Sequence, residues 1–195
     1  MSLVRAVGVG IMLLGACGDD GTAKVDAGVD ATSDAAEDAS TVQLVLTSTA
    51  YVDGAAIPLA HVCTERNGMN QSPPLAWTNV PEGTMSFAIV FTNLNNGLIH
   101  SAIYDIPGTL TSIPGNVERM YAPPSIPGAH QVRSWTNSYG YEGACPIQPS
   151  MYEQKIYALS TMIVPNSTMA TTRQELIVEL DANNLGTATL VGSAM

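Results

Sequence analysis

The order of apolar and polar positions divides the chain into three parts. Ala6 to Leu14 form a short apolar stretch behind Arg5. From residue 18 to 41 there is no aromatic side chain and no aliphatic one larger than valine. From residue 42 on, apolar and β-branched runs recur at 42–47, 86–92, 99–106, 155–161 and 188–191, three of them ending directly at Asn93, Pro107 and Gly192. Runs of that length and composition predict strands. The stretches between them, notably 67–81 and 107–149, are long and rich in Pro and Gly and predict connections. Ser72-Pro73-Pro74 forces an extended path, and Leu75 and Trp77, two apart, then share one face, with Trp77 expected in the core. Near the carboxyl end the period changes. Leu176, Ile177 and Leu180 share a helical face, Thr172 with Glu175 makes a capping box, and Gly186 is expected just past the helix. The pattern predicts a mainly β domain with one or two helices and no internal repeat.

The two Trp, seven Tyr and two Phe all lie between Tyr51 and Tyr157, so the core belongs to residues 42–195. A domain of that size can bury an independent core. Residues 1–16 read as an export signal, with a polar start, an apolar centre and small residues at the end. Leu14-Gly15-Ala16-Cys17 has the form of a lipobox, which predicts acylation of Cys17 and anchoring to a membrane by lipid chains. The alternative is an ordinary cleaved signal with a chance cysteine. The expected location is the bacterial cell envelope. Gly18 rather than Asp after the cysteine favours the outer membrane over the inner one.

Charge sharpens that division. The chain carries 7 basic and 17 acidic side chains, for a net charge of −10. Seven of the acids and one Lys fall within 18–41, which together with the missing large apolar residues predicts a disordered, self-repelling tether over 17–41. A calcium site made from its spaced aspartates lacks the closing Glu of a calcium loop. So few basic residues supply no phosphate-binding cluster, so no nucleic-acid partner is expected. No apolar run reaches the ~20 residues that span a bilayer.

Familiar catalytic signatures are missing: there is no G-x-S-x-G, H-E-x-x-H, C-x-x-C or phosphate-binding glycine loop. His61, His100 and His130 are too far apart for a local metal motif. No metal and no cofactor are expected.

Four blocks do carry a pattern. They are Cys63-Thr-Glu-Arg-Asn67 through Ser72-Pro-Pro-Leu-Ala-Trp77; His100-Ser-Ala-Ile-Tyr104-Asp-Ile106-Pro107; Gly140-Tyr141-Glu-Gly143-Ala-Cys145-Pro146; and Tyr157-Ala158-Leu159. In this order they resemble the phosphatidylethanolamine-binding protein family, whose bacterial branch is labelled Raf-kinase-inhibitor-like. The resemblance covers residues 42–195 and implies a β-sandwich of antiparallel strands with a few peripheral helices. It also implies a small pocket for phosphate-like anions or phospholipid head groups. That pocket is lined by a D-P-D-A-P loop, the His of an H-W pair, and the His and Tyr of a G-x-H-R-Y segment.

Here the lining is altered. The loop aspartates are replaced by Asn93 and Asn95, Ser101 follows His100 in place of tryptophan, and Ser150 and Met151 precede Tyr152 where His and Arg belong. Asn carries no charge, so His100 loses carboxylates that would raise its pKa, and affinity for a dianion should fall. The resemblance therefore implies a ligand site of His100, Tyr152, Asn93, Asn95 and Ser150, with Tyr141 and Trp135 at its rim and Gly140 and Gly143 allowing tight turns there. The alternative is that His100 and Tyr152 only satisfy buried polar groups.

Cys63 and Cys145 lie in blocks that flank this pocket. Once Cys17 is acylated, two thiols remain in an oxidising compartment, and a disulfide is expected. A closed loop of about 80 residues would contribute roughly 4–5 kcal/mol. Two free buried thiols are the alternative.

The function expected is that of a non-enzymatic, envelope-anchored binding protein for a small anionic or polar ligand, such as a phospholipid head group. A second reading is a protease inhibitor or other protein-interaction module presenting the Pro-rich loop 121–128. A third is a hydrolase using Ser150 and His100, for which no oxyanion-hole or orienting-acid signature is present.

Overall fold

The computed structural model describes residues 43–195. The predicted signal (1–16), Cys17 and the tether to residue 41 lie outside the described residues.

Eight strands and one helix follow in chain order: β1 Val45–Thr47, β2 Leu75–Thr78, β3 Ser86–Asn93, β4 Ile99–Pro107, β5 Ser112–Ile113, β6 His130–Gln131, β7 Ser150–Leu159, α1 Arg173–Ala182 and β8 Asn184–Ala194. Two 3-10 turns, Leu59–His61 and Thr64–Arg66, precede β2. The strands form two antiparallel sheets, a small one in the order β1-β2-β5 and a large one in the order β6-β4-β3-β7-β8. No helix among the described residues is long and apolar enough to cross a membrane.

The apolar run of β3 is continuous because the large sheet is covered on both faces. Phe87, Ile89 and Phe91 point into the core between the sheets with Leu46, Leu75 and Trp77. Ala88 and Val90 point the other way and meet Leu176 and Leu180 of α1. Alternate side chains leave opposite faces of a strand, so a strand buried on both faces shows no polar alternation. Trp77 is 1% exposed and packs 4.9 Å from Phe87, as expected of a core anchor.

The helix forms where its capping box places it. Thr172 Oγ1 accepts from the Glu175 backbone N–H, and Glu175 Oε2 accepts from the Thr172 N–H. Its end differs from the expectation. Gly186 is not a stop; it lies inside β8, paired with Ala158, and Asn183 alone separates helix from strand. A Cβ at Gly186 would lie 2.9 Å from the Pro81 ring, which explains the glycine by close approach.

Three other boundaries shift. β7 begins at Ser150 rather than 155, because Ser150, Tyr152 and Gln154 are buried at alternate positions. β8 extends well beyond 188–191, running the length of β7. The long connections contain short strands: β2 within 67–81, and β5 and β6 within 107–149. β6 pairs His130 with Tyr104 of β4.

Candidate functional site

The site begins with the end of β3, the start of β4 and the start of β7, which lie side by side. Asn93 faces Tyr152 in the β3–β7 register. His100 is the second residue of β4, and its ring meets those of Phe91 at 5.6 Å and Tyr152 at 5.3 Å, both edge-on. The third ring around it is Trp135, at 6.0 Å and 39% exposed. An aromatic neighbour for His100 therefore comes from the loop after β6, while Ser101 occupies the position where the resemblance implies tryptophan.

The backbone behind His100 is held by a polar network. Residues 61–63 run beside 143–145: Cys63 N–H donates to Ala144 O, and Ala144 N–H to His61 O. A Cβ on Gly143 would lie 2.7 Å from the Cys63 nitrogen, so only glycine allows this approach. The Cys63–Cys145 disulfide closes the same junction. Glu142 is buried beside it. Its Oε1 accepts from Asn70 Nδ2 at 2.7 Å, and its Oε2 from Arg119 and from Thr136 Oγ1, each at 2.6 Å. Asn70 returns the contact by accepting from Gly143 N–H at 2.6 Å. The network fixes the direction of the Gly143 carbonyl.

That carbonyl decides the state of His100. Nδ1 of His100 lies 2.9 Å from Gly143 O and 3.3 Å from Glu142 O. A carbonyl only accepts, so Nδ1 carries the proton. In the neutral ring Nε2 is then an acceptor, and it has no hydrogen-bond partner among the described residues. Burial lowers the pKa of His100; the two carbonyls and Glu142 oppose this, and the Arg173 guanidinium adds to it. A neutral ring at pH 7 is the form the surroundings favour.

The five predicted residues come together only in part. Tyr152 lies beside both His100 and Asn93, yet His100, Tyr152 and Asn93 are 2%, 0% and 6% exposed respectively. The Tyr152 hydroxyl accepts from Cys145 N–H at 3.1 Å, and burial raises its pKa. Asn93 Oδ1 accepts from Asn95 N–H, and Asn95 Oδ1 accepts from Met151 N–H, which ties the exposed loop onto β7. Ser150 Oγ donates to Gln148 O at 2.9 Å rather than to His100, so the hydrogen bond that a Ser–His nucleophile needs is not formed. Tyr141 differs from the expected rim position: it is buried, stacks on Phe91 and donates its hydroxyl to His61 O. Trp135 does lie at the rim. Cys63, Glu65 and Cys145 cluster in space, but a disulfide leaves no thiolate for a metal.

In the Pro-rich loop 121–128, Ala122, Pro124, Ser125, Pro127 and Gly128 are exposed, while two apolar side chains and two hydrogen bonds tie the loop down. Pro123 and Ile126 are buried, Ile126 N–H donates to Pro123 O, and Ser125 Oγ donates to Glu118 Oε2.

Sequence reasoning missed Glu142, a buried acid within an otherwise small and apolar block, and the pairing of His130 with Asp105. His130 Nδ1 donates to Asp105 Oδ2 at 2.9 Å, and Asp105 Oδ1 accepts from Val164 N–H at 2.7 Å. The signal for Glu142 was its charge among glycines. Nothing local signals a contact between residues 25 positions apart.

Two antiparallel sheets, the order of the four blocks and the His100–Tyr152 pair where β3, β4 and β7 meet define a class. Residues 47–194 match the profile described as Phosphatidylethanolamine-binding protein, and the chain belongs to this family. Within it, the chain is 36% identical over 105 residues to the UPF0098 protein YbcL of Escherichia coli K12, an alignment spanning 50% of this chain and 57% of YbcL. It is 26% identical over 151 residues to a UPF0098 protein of Aquifex aeolicus, covering 74% of this chain and 84% of that one. The crystal structure of E. coli YbcL, described as a new member of the mammalian PEBP family, superposes with a TM-score of 0.71 at 30% identity. It covers 77% of this chain and 97% of YbcL.

Proposed function

We propose that the chain is a non-enzymatic binding protein, displayed on the bacterial envelope by an acylated Cys17, whose site at His100 takes a small polar head group. The site centres on His100, with Tyr152 and Asn93 behind it; Asn95 and Ser150, engaged with Met151 and Gln148, lie at its periphery. The observation that supports this reading is the polarity of His100: Nδ1–H is committed to the Gly143 carbonyl, and Nε2 is left as an unpaired acceptor between aromatic rings. Such a nitrogen receives a hydrogen-bond donor, such as an ammonium, a hydroxyl or a protonated phosphate. It repels a full dianion until the ring itself is protonated. Phosphate binding is accordingly weak at neutral pH and strengthens as the pH falls through the lowered pKa of His100.

Calorimetric titration with phosphate, phosphoethanolamine and short-chain phosphatidylethanolamine tests the proposal. Phosphate binding that is tighter at pH 5.5 than at pH 8, and binding of all three that is absent in His100→Ala, are the expected results. No response to any of the three, with His100→Ala indistinguishable from the parent, removes the head-group site.

A further inference from the structure

The other end of β4 holds an open cavity. It has a volume of about 540 Å³ and is formed by the ends of β4 and β6, the turn before β3 and the segment after β7. Its walls include Met85, Pro107, Met162 and Ile163, and the side chains of Met162 and Ile163 are about two-thirds exposed, at 66% and 65%. A cavity of this size with apolar walls and a few polar groups, here Thr84, Thr109 and the Asp105–His130 pair, has the make-up of a small-molecule site. Methionines suit a flexible apolar guest because their unbranched chains adapt to its shape.

Of the polar groups, His130 is the titratable one facing the cavity, and it is held by Asp105. Asp105 has φ 56° near the end of β4, a left-handed conformation that Asp tolerates better than most residues. In that conformation its buried carboxylate reaches both the Val164 N–H and His130. Both carboxylate oxygens are thereby engaged, and the His130 ring rests against Tyr121 at 4.6 Å and Tyr104 at 5.6 Å. With Nδ1–H committed to Asp105, Nε2 is the ring nitrogen left for a guest. In the neutral ring it accepts a hydrogen bond.

We propose that this cavity binds an amphiphile, a linear alkyl or acyl chain with an uncharged or cationic head, a hydroxyl or an ammonium, that donates a hydrogen bond to His130 Nε2. Charge complementarity selects the head. A carboxylate would add a second negative charge beside Asp105, in a domain whose residues 42–195 already carry ten acids against five bases. The walls select the chain.

The test is calorimetry of the full chain with decan-1-ol, decanoate and decylamine, each below its solubility limit or critical micelle concentration. The expected result is saturable one-to-one binding of decan-1-ol and of decylamine, with decanoate at least tenfold weaker. Met162→Asp and Ile163→Asp should abolish it; both side chains are mostly exposed, so the fold should survive, and thermal unfolding checks this. His130→Phe should weaken it about tenfold, the worth of one hydrogen bond, while His100→Ala should leave it unchanged. Decan-1-ol affinity unaffected by either aspartate substitution would overturn the site. Decanoate binding as tightly as decan-1-ol and decylamine would overturn the hydrogen-bond-donating head.

Discussion

Two histidines mark opposite ends of β4 and meet different surroundings. His100 is 2% exposed, enclosed by Phe91, Tyr152 and Trp135, with its Nδ1–H on a backbone carbonyl. His130 has a side chain 30% exposed, faces a cavity, and gives its Nδ1–H to a carboxylate. The first end is the one the family resemblance implies for ligands, and there the polar groups largely satisfy one another. The second end holds none of the residues that the resemblance assigns to the pocket, yet it combines open volume, apolar walls and an acid in a left-handed backbone conformation. Motif position and available space have separated in this molecule. A carbonyl partner at one end fixes a tautomer with no added charge; at the other, an acid does so with one.

The comparison is most easily broken at the His100 end, where the disulfide sits. Reducing Cys63–Cys145, or replacing both with Ser, should cost about 4 kcal/mol in urea unfolding, given a separation of 82 residues. Amide exchange should rise at residues 61–63 and 143–145 more than at 104–107. Equal loosening at both ends would deny that the bridge is local to the His100 site.

Glu142→Ala should follow, destabilising by about 3 kcal/mol, because it leaves Asn70, Thr136 and part of Arg119 without an acceptor. The partly exposed Arg119 is screened, which keeps the loss from being larger. A chemical-denaturation loss under 1 kcal/mol would mean that Glu142 does not hold Gly143 in place.

At the other end, Asp105→Ala should cost about 2 kcal/mol, since the Val164 N–H and His130 lose their partner while the left-handed backbone remains. Asp105→Asn, which keeps an acceptor and tolerates that backbone, should recover about half of the loss. Equal losses in the two would assign the effect to charge alone.

The smallest effect is in the pH dependence, where the two ends should run in opposite directions. His100 has a lowered pKa in the fold, so the unfolded chain takes up its proton first. Stability is full above the ordinary value of about 6.5 and declines as pH falls from there towards the folded value, by at most about 1.4 kcal/mol per pH unit. Asp105 has a pKa raised by burial, so its contribution is full below the ordinary carboxylate range and is lost as pH rises through the raised value. Unfolding curves of His100→Gln and Asp105→Asn between pH 4 and 8 should each remove one of these slopes.

Much of the fold could be read from the sequence, because its main strands are long apolar runs and its helix has a side-chain capping box. β5 and β6 could not, since two residues carry no period, and the first half of β7 hides its inward face behind Ser150 and Gln154. The cluster of His100, Tyr152 and Asn93 was legible only through the ordered family blocks. Its closure was not, because burial of His100 depends on Trp135 and on a Gly143 carbonyl that lies 43 positions along the chain. The Asp105–His130 pair was illegible for the same reason: a two-residue strand brings His130 beside Tyr104.

The central claim is that His100 is a neutral imidazole at pH 7 with its proton on Nδ1. Nitrogen-15 chemical shifts of the histidine side chains, followed from pH 8 to pH 4, test it directly. The account predicts a protonated Nδ1 and a bare Nε2 for His100 at pH 7, with conversion to imidazolium only below about 6.5. An imidazolium His100 at pH 7, or the opposite tautomer, would contradict it.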